Sequence, residues 1–175
     1  MKKILSLCIG ALLLAACSNK EKLDRETALK LVEDSKTYPK VIGYNIFVSD
    51  PAYAKRVLDA GLEESGFVIV QRTRKLSEVG KPIISFTAKA DPYLLPQSDQ
   101  DKSDRIQRVK VADEAVEEVT GLQMLEGDKT AIAEVETSFK NISPFSALSK
   151  LELNKGNIRK VNFVLYDDGW RLSND

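Results

Sequence analysis

The chain has 175 residues, with 26 Lys and Arg against 26 Asp and Glu, and contains no histidine and only two cysteines. The missing histidine excludes Ser-His-Asp and Cys-His nucleophile pairs, imidazole acid/base steps and histidine metal sites. A chain of this length builds one domain with a real core, or two small packed units.

Lys2 and Lys3 precede an uncharged apolar run, residues 4 to 16. That run is shorter than the ~20 residues a membrane-spanning helix needs, and it fits the apolar region of a secretory signal. Small residues Ala15 and Ala16 then lead directly into Cys17. Leu14-Ala15-Ala16-Cys17 resembles the lipobox of bacterial lipoproteins. The resemblance implies cleavage between Ala16 and Cys17, removal of residues 1–16 as a signal peptide, and a lipid on the Cys17 thiol. It covers about twenty residues and carries no implication for the rest of the chain. The other readings of Cys17 are a buried residue in an N-terminal helix or a plain signal peptide.

Several expectations follow from a lipidated Cys17. Stable anchoring takes two or more acyl chains at ~0.8 kcal/mol per buried CH₂, so the partner of the N-terminus is a membrane. Ser18 stands where well-studied Gram-negative lipoproteins retained at the inner membrane carry Asp, which implies the outer membrane. The mature chain has 24 basic and 26 acidic residues, since only Lys2 and Lys3 leave with the signal. That balance predicts no nucleic-acid partner. Cys8 also leaves, so no thiol remains for a disulfide, a zinc site or a nucleophile.

Residues 17–23 read as a lipidated tether. Asp24 caps a helix whose apolar Ala28, Leu31 and Val32 share one face. Tyr38-Pro39 ends it. VIGYNIFVS, 41–49, is β-branched and aromatic and predicts a strand. Asp50-Pro51 opens a second helix, with Ala54, Val57, Leu58, Gly61 and Leu62 on one face and Gly66 at its C-terminal cap. FVIVQRT, 67–73, and IISFTAK, 83–89, predict strands around a basic loop, 74–82.

A helix ending in AGLEESGF, a strand, a basic loop, a strand and FTAKADPYLL resemble the last helix and wing of winged-helix proteins. The resemblance spans roughly Arg25 to Leu95 and implies a winged-helix-like α+β unit over 24–97. It departs from the family at 41–49, where a strand stands in place of a second helix. PQSDQDKSDR, 96–105, reads as a linker. Beyond it, 105–175 predicts an antiparallel, hairpin-built β unit. IQRVKVAD, 106–113, and VEEVTGLQML, 116–125, are strand-like, with a break at Gly121 in the second. TAIAEVETSFK, 130–140, alternates cleanly, and 159–172 alternates again around an Asp168-Gly169 hairpin signal, with Trp170 and Leu172 on the core. The fold class expected is therefore α+β.

Five groups are candidate sites. Asp99, Asp101 and Ser103 match the first ligands of a calcium loop, but Asp104 and Lys110 stand where Gly and a bidentate Glu belong, so a solvated linker is the simpler reading. Asp167 and Asp168 fit an acid/base pair or, more simply, a hairpin tip. Glu134 and Glu136 share a strand face that lines a groove or faces water. Arg72, Arg74, Lys75 and Lys81 make the wing-like loop basic, yet Asp59, Glu63 and Glu64 precede it and repel phosphate. Tyr44, Phe47, Phe145 and Trp170 supply either partner contacts or core packing.

No catalytic, cofactor-binding or metal-binding residue is nominated. The function expected is a membrane-anchored envelope lipoprotein of non-catalytic binding or scaffolding role, with an envelope protein as partner. The alternative is a carboxylate-based hydrolase acting on an envelope glycan, and a third reading, a cytoplasmic regulator, requires the Cys17 motif to be accidental.

Overall fold

The computed structural model describes residues 22–173 apart from 74, 76, 77 and 79. Cys17, its motif and most of the expected tether lie outside the described residues, as does Arg74 of the basic loop. The fold is α+β, as the sequence implies. Helix α1 runs Arg25–Asp34 and begins where predicted: the Asp24 carboxylate accepts from the Thr27 N–H at 2.7 Å. Strand β1, Lys40–Phe47, follows, and then helix α2, Pro51–Asp59, opened by an Asp50 carboxylate on the Ala52 N–H. Gly61, expected on its apolar face, lies beyond its end at φ 68°. Short strands β2, Val68–Val70, and β3, Ile84–Phe86, pair antiparallel.

The winged-helix arrangement is not confirmed. The order α2–β2–loop–β3 is present, but β1 does not belong to that unit. It pairs antiparallel with β4, Ile106–Met124, from Lys40↔Glu114 to Phe47↔Ile106. It is thereby the edge of a five-stranded antiparallel sheet ordered β1-β4-β5-β6-β7, with β5 Thr130–Lys140, β6 Asn157–Tyr166 and β7 Gly169–Leu172. Helix α1 also packs on β4, β5 and β7. The expected division into 24–97 and 105–175 is crossed by both elements.

Residues 96–105 are not an unstructured linker either. Ser98 and Asp101 form a reciprocal capping box that opens helix α3, Asp99–Ser103. Beyond it, the two runs expected at 106–113 and 116–125, with a break at Gly121, are one 19-residue strand, β4, that continues through Gly121. Its register shifts opposite Ile42/Gly43 and again at Val116/Glu118 and Val119/Gly121. Each shift inserts an extra residue and bends the strand, which lets one strand serve β1 with its first half and β5 with its second.

Counted through these bulges, Tyr44, Ile46 and Val109 share a sheet face with Val119, Val135 and Phe163. Two apolar clusters occupy it. One gathers Ile46, Val57, Val68, Ile84, Val109 and Phe145. The other gathers Leu23, Val32, Val119, Val135, Phe163 and Trp170, so Trp170 takes the core role expected of it. Between them, on the same face, lie Glu114, Thr137 and Arg159.

Candidate functional site

An open groove of about 1040 Å³ lies at the edge of β1. One wall is α2, through Tyr53, Arg56 and Asp59; another is the segment 147–150. The floor is β1 itself, through Gly43, Tyr44, Asn45 and Phe47. Residues of both parities line it, so the groove meets the edge of the strand and not one face alone.

The aromatic lining is ordered. Phe47 and Tyr53 lie with ring centroids 5.1 Å apart, and Tyr44 and Tyr53 at 6.4 Å. The Arg56 guanidinium sits 4.7 Å from the Tyr53 ring centroid and donates to the Tyr44 hydroxyl at 3.2 Å. The Tyr44 hydrogen bond, ahead of the remaining influences, raises the Arg56 pKa and keeps it charged. Asp59 is engaged by Lys55 at 2.5 Å, and no ion pair reaches Arg56 or Lys150 among the described residues. The groove therefore offers aromatic faces and two uncompensated cations. Aromatic side chains and Arg are the residue types enriched among the anchors of protein interfaces.

Of the four aromatics singled out in the sequence, Tyr44 and Phe47 are half-buried in this groove. Phe145 and Trp170 are core: Phe145 is fully buried against Phe67, Phe86 and Tyr93. Tyr53 and Arg56 escaped the sequence reading, although Tyr53, Arg56 and Ala60 follow one another at helical spacing and mark a second, outward stripe of α2.

A second cavity, about 350 Å³, is lined by Tyr38, Lys40, Glu114 and Arg159. Glu114 is 1% exposed. Its Oε1 accepts from Thr137 Oγ1 at 2.9 Å and from Arg159 Nε and Nη2 at 3.1 and 2.9 Å. Burial, and then the Glu114 carboxylate, push the Tyr38 phenol up against a smaller opposing effect of Arg159. A third cavity, about 550 Å³, lies beside Lys22 and is lined by Met124, Leu165 and Trp170.

The carboxylate candidates do not converge. Register places Glu134 and Glu136 on the sheet face opposite the two cores, Glu136 across from Glu118 and Glu134 across from Gly121. Asp167 and Asp168 form the two-residue loop between Tyr166 and Gly169, where Asp168 pairs with Arg171. Gly169, expected inside that turn, instead opens β7 at φ 129°. None of these four carboxylates lines a cavity described here. Asp101 of the calcium-like run is consumed by its capping box, and its carboxyl is held below the usual range, first by the Ser98 N–H.

The basic loop is partly neutralised. Arg72 reaches Glu63 at 2.5 Å, and Glu63 also accepts the Val70 N–H at 2.8 Å. The Val70 N–H is the main reason the Glu63 carboxyl lies below its ordinary value.

No family model, no curated protein and no solved structure matches the chain.

Proposed function

We propose that the chain is a bacterial envelope lipoprotein of non-catalytic binding or scaffolding role, anchored at the outer membrane through a lipid on Cys17. Support for the anchor lies in Leu14-Ala15-Ala16-Cys17 and the charged, short apolar leader before it. Support for the binding role lies in one observation, the open groove in which Tyr44, Phe47, Tyr53 and Arg56 meet the edge of β1. An aromatic and cationic surface of this kind suits a protein partner, and an envelope protein is the partner proposed. Helix α2, the first element of the winged-helix-like order α2–β2–β3, contributes one wall of that groove. It is not proposed to meet nucleic acid, since Arg72 is paired with Glu63.

Leu23 is buried, and six peptide steps separate it from Cys17. At most ~3.6 Å per residue, they span about 20 Å. The domain would therefore sit close to the bilayer, with the cavity beside Lys22 turned toward it and partners meeting it at short range.

The test is the intact mass of protein purified from its native membrane, beside a Cys17→Ala variant, followed by cross-linking in the envelope with wild type and Tyr53→Ala. A chain starting at Cys17 with the added mass of acyl groups, lost in the variant, supports the anchor. A cross-linked envelope protein that disappears with Tyr53→Ala supports the groove. An unmodified full-length chain in the soluble fraction overturns the reading.

A further inference from the structure

The hydrogen-bond pattern of β4 fixes which way the backbone of β1 points. The carbonyls of Ile106, Arg108 and Lys110 accept from Gln97 Nε2, the Leu95 N–H and Ser143 Oγ. All three donors lie on the side of β4 away from β1. In an antiparallel ladder the residues opposite, Phe47, Asn45 and Gly43, then turn their own N–H and C=O groups outward. The same alternation carries through Val41. The Phe47 carbonyl is taken by the Asp50 N–H at 3.1 Å, but among the described residues nothing hydrogen-bonds the outward groups of Val41, Gly43 or Asn45.

Gly43 and Asn45 line the groove beside Tyr44, Tyr53 and Arg56, and Val41 continues the same edge beyond it. The opposite edge of the sheet is β7, four residues long, whereas β1 has eight. A long edge with a free donor and acceptor on every second residue is a template for another strand. We infer that β1 binds an extended, acidic segment of a partner protein by strand addition, extending the five-stranded sheet at Val41, Gly43 and Asn45. This rests on the binding role proposed above and names its partner chemistry.

Three features select that occupant. Three outward residues in alternation match only an extended chain, because a helix satisfies its own backbone groups. Arg56 and Lys150 are uncompensated in the groove while Asp59 is held by Lys55, so acidic side chains complement it. Tyr44 and Tyr53 flank the edge on the core side, so alternate side chains of the added strand meet aromatic rings there.

The probe is a labelled eight-residue peptide alternating valine and glutamate, followed by fluorescence anisotropy and by amide exchange of the mature domain. Strand addition predicts saturable binding and at least tenfold slower exchange at the Gly43 and Asn45 amides. N-methylation of the peptide amides facing β1 should weaken binding more than tenfold, and so should replacing every glutamate by lysine. Asn45→Pro removes one outward N–H without touching the ladder to β4, and should weaken binding too. If that variant unfolds, the N-methylated peptide carries the same test on the wild-type fold.

Binding untouched by N-methylation would overturn strand addition, as would none up to about 1 mM. Protection of Gly43 and Asn45 that appears without peptide and grows with protein concentration would make a second copy the occupant, and would also overturn it. An envelope cross-link lost in Tyr53→Ala, with no peptide effect, leaves the binding role standing and removes only the strand mechanism.

Discussion

Arg159 on β6 reaches across β5 to Glu114 on β4, Nη2 to Oε1 at 2.9 Å, and clamps a carboxylate that is 1% exposed. The pair sits where the two apolar clusters adjoin, with Thr137 as the third member. Taking a carboxylate out of water is unfavourable unless donors replace the lost hydration, and Arg159 supplies two of the three donors to Oε1. Arg159→Met should lower unfolding stability by about 2 kcal/mol, less than the ~3–5 kcal/mol of a fully buried pair because Arg159 is half exposed. The Glu114→Met, Arg159→Met double variant should lose less than Arg159→Met alone, since no unpaired charge remains. Urea melts of the three proteins at pH 7 measure this, and a double variant worse than the single would refute it.

Asp113, one residue away on the opposite sheet face, gives the acid limb of stability. Burial pushes its carboxyl up, but hydrogen bonds from Lys110 and Asn141, with the Lys110 charge, together outweigh that and hold it below the ordinary Asp value. A folded pKa below the unfolded one means stability present above the unfolded value and lost as pH falls through the folded value. Wild type should therefore weaken as pH drops below about 4, and Asp113→Asn should show a shallower loss over that window. Both slopes come from denaturation midpoints at pH 5, 4 and 3. Equal slopes would sink the assignment.

Local pattern made much of this legible. The caps at Asp24 and Asp50, the alternation of 130–140 and the hairpin at 167–168 are signals of a few residues each, and all appear in the structure. What failed to show was non-local or bulged. The strand 41–49 was readable as a strand, but its partner lies 59 to 74 residues on, from Phe47↔Ile106 to Lys40↔Glu114, and nothing in 41–49 names 106–114. β4 hid its continuity because each bulge flips the inside-outside count, and because Val111, Ala112, Asp113 and Glu114 are all buried in succession although Asp113 lies on the opposite sheet face from Glu114. The site shows the same split. Tyr44 and Phe47 were visible as aromatics in a strand, whereas Tyr53 and Arg56 became part of a groove only when α2 docked beside β1.

Gly156 should tolerate no side chain. A Cβ there would stand 2.4 Å from the Thr137 carbonyl oxygen, a backbone atom that cannot swing aside. Gly156→Ala must push the start of β6 off β5, at the residue that hydrogen-bonds Glu114. Overpacking of this kind costs about 1–3 kcal/mol. The expected readout is a lower urea midpoint together with faster amide exchange around Asn157 and Thr137. An unchanged midpoint would mean that the loop before β6 relaxes freely.

Phe145 and Tyr53 separate folding from binding. Phe145 is fully buried, with rings of Phe67, Phe86 and Tyr93 centred 5.9–6.2 Å away. Phe145→Ala leaves a cavity in a core built around those rings, and should cost about 3–5 kcal/mol. Tyr53 lines the groove and is partly exposed, so Tyr53→Ala should leave the thermal midpoint within a few degrees of wild type while removing the ring on which Arg56 rests. Thermal melts and peptide anisotropy on the same two variants are the measurement. A stable Phe145→Ala, or a Tyr53→Ala that unfolds, would mean that the boundary between core and groove has been drawn in the wrong place, because the two aromatics would then share one packing role.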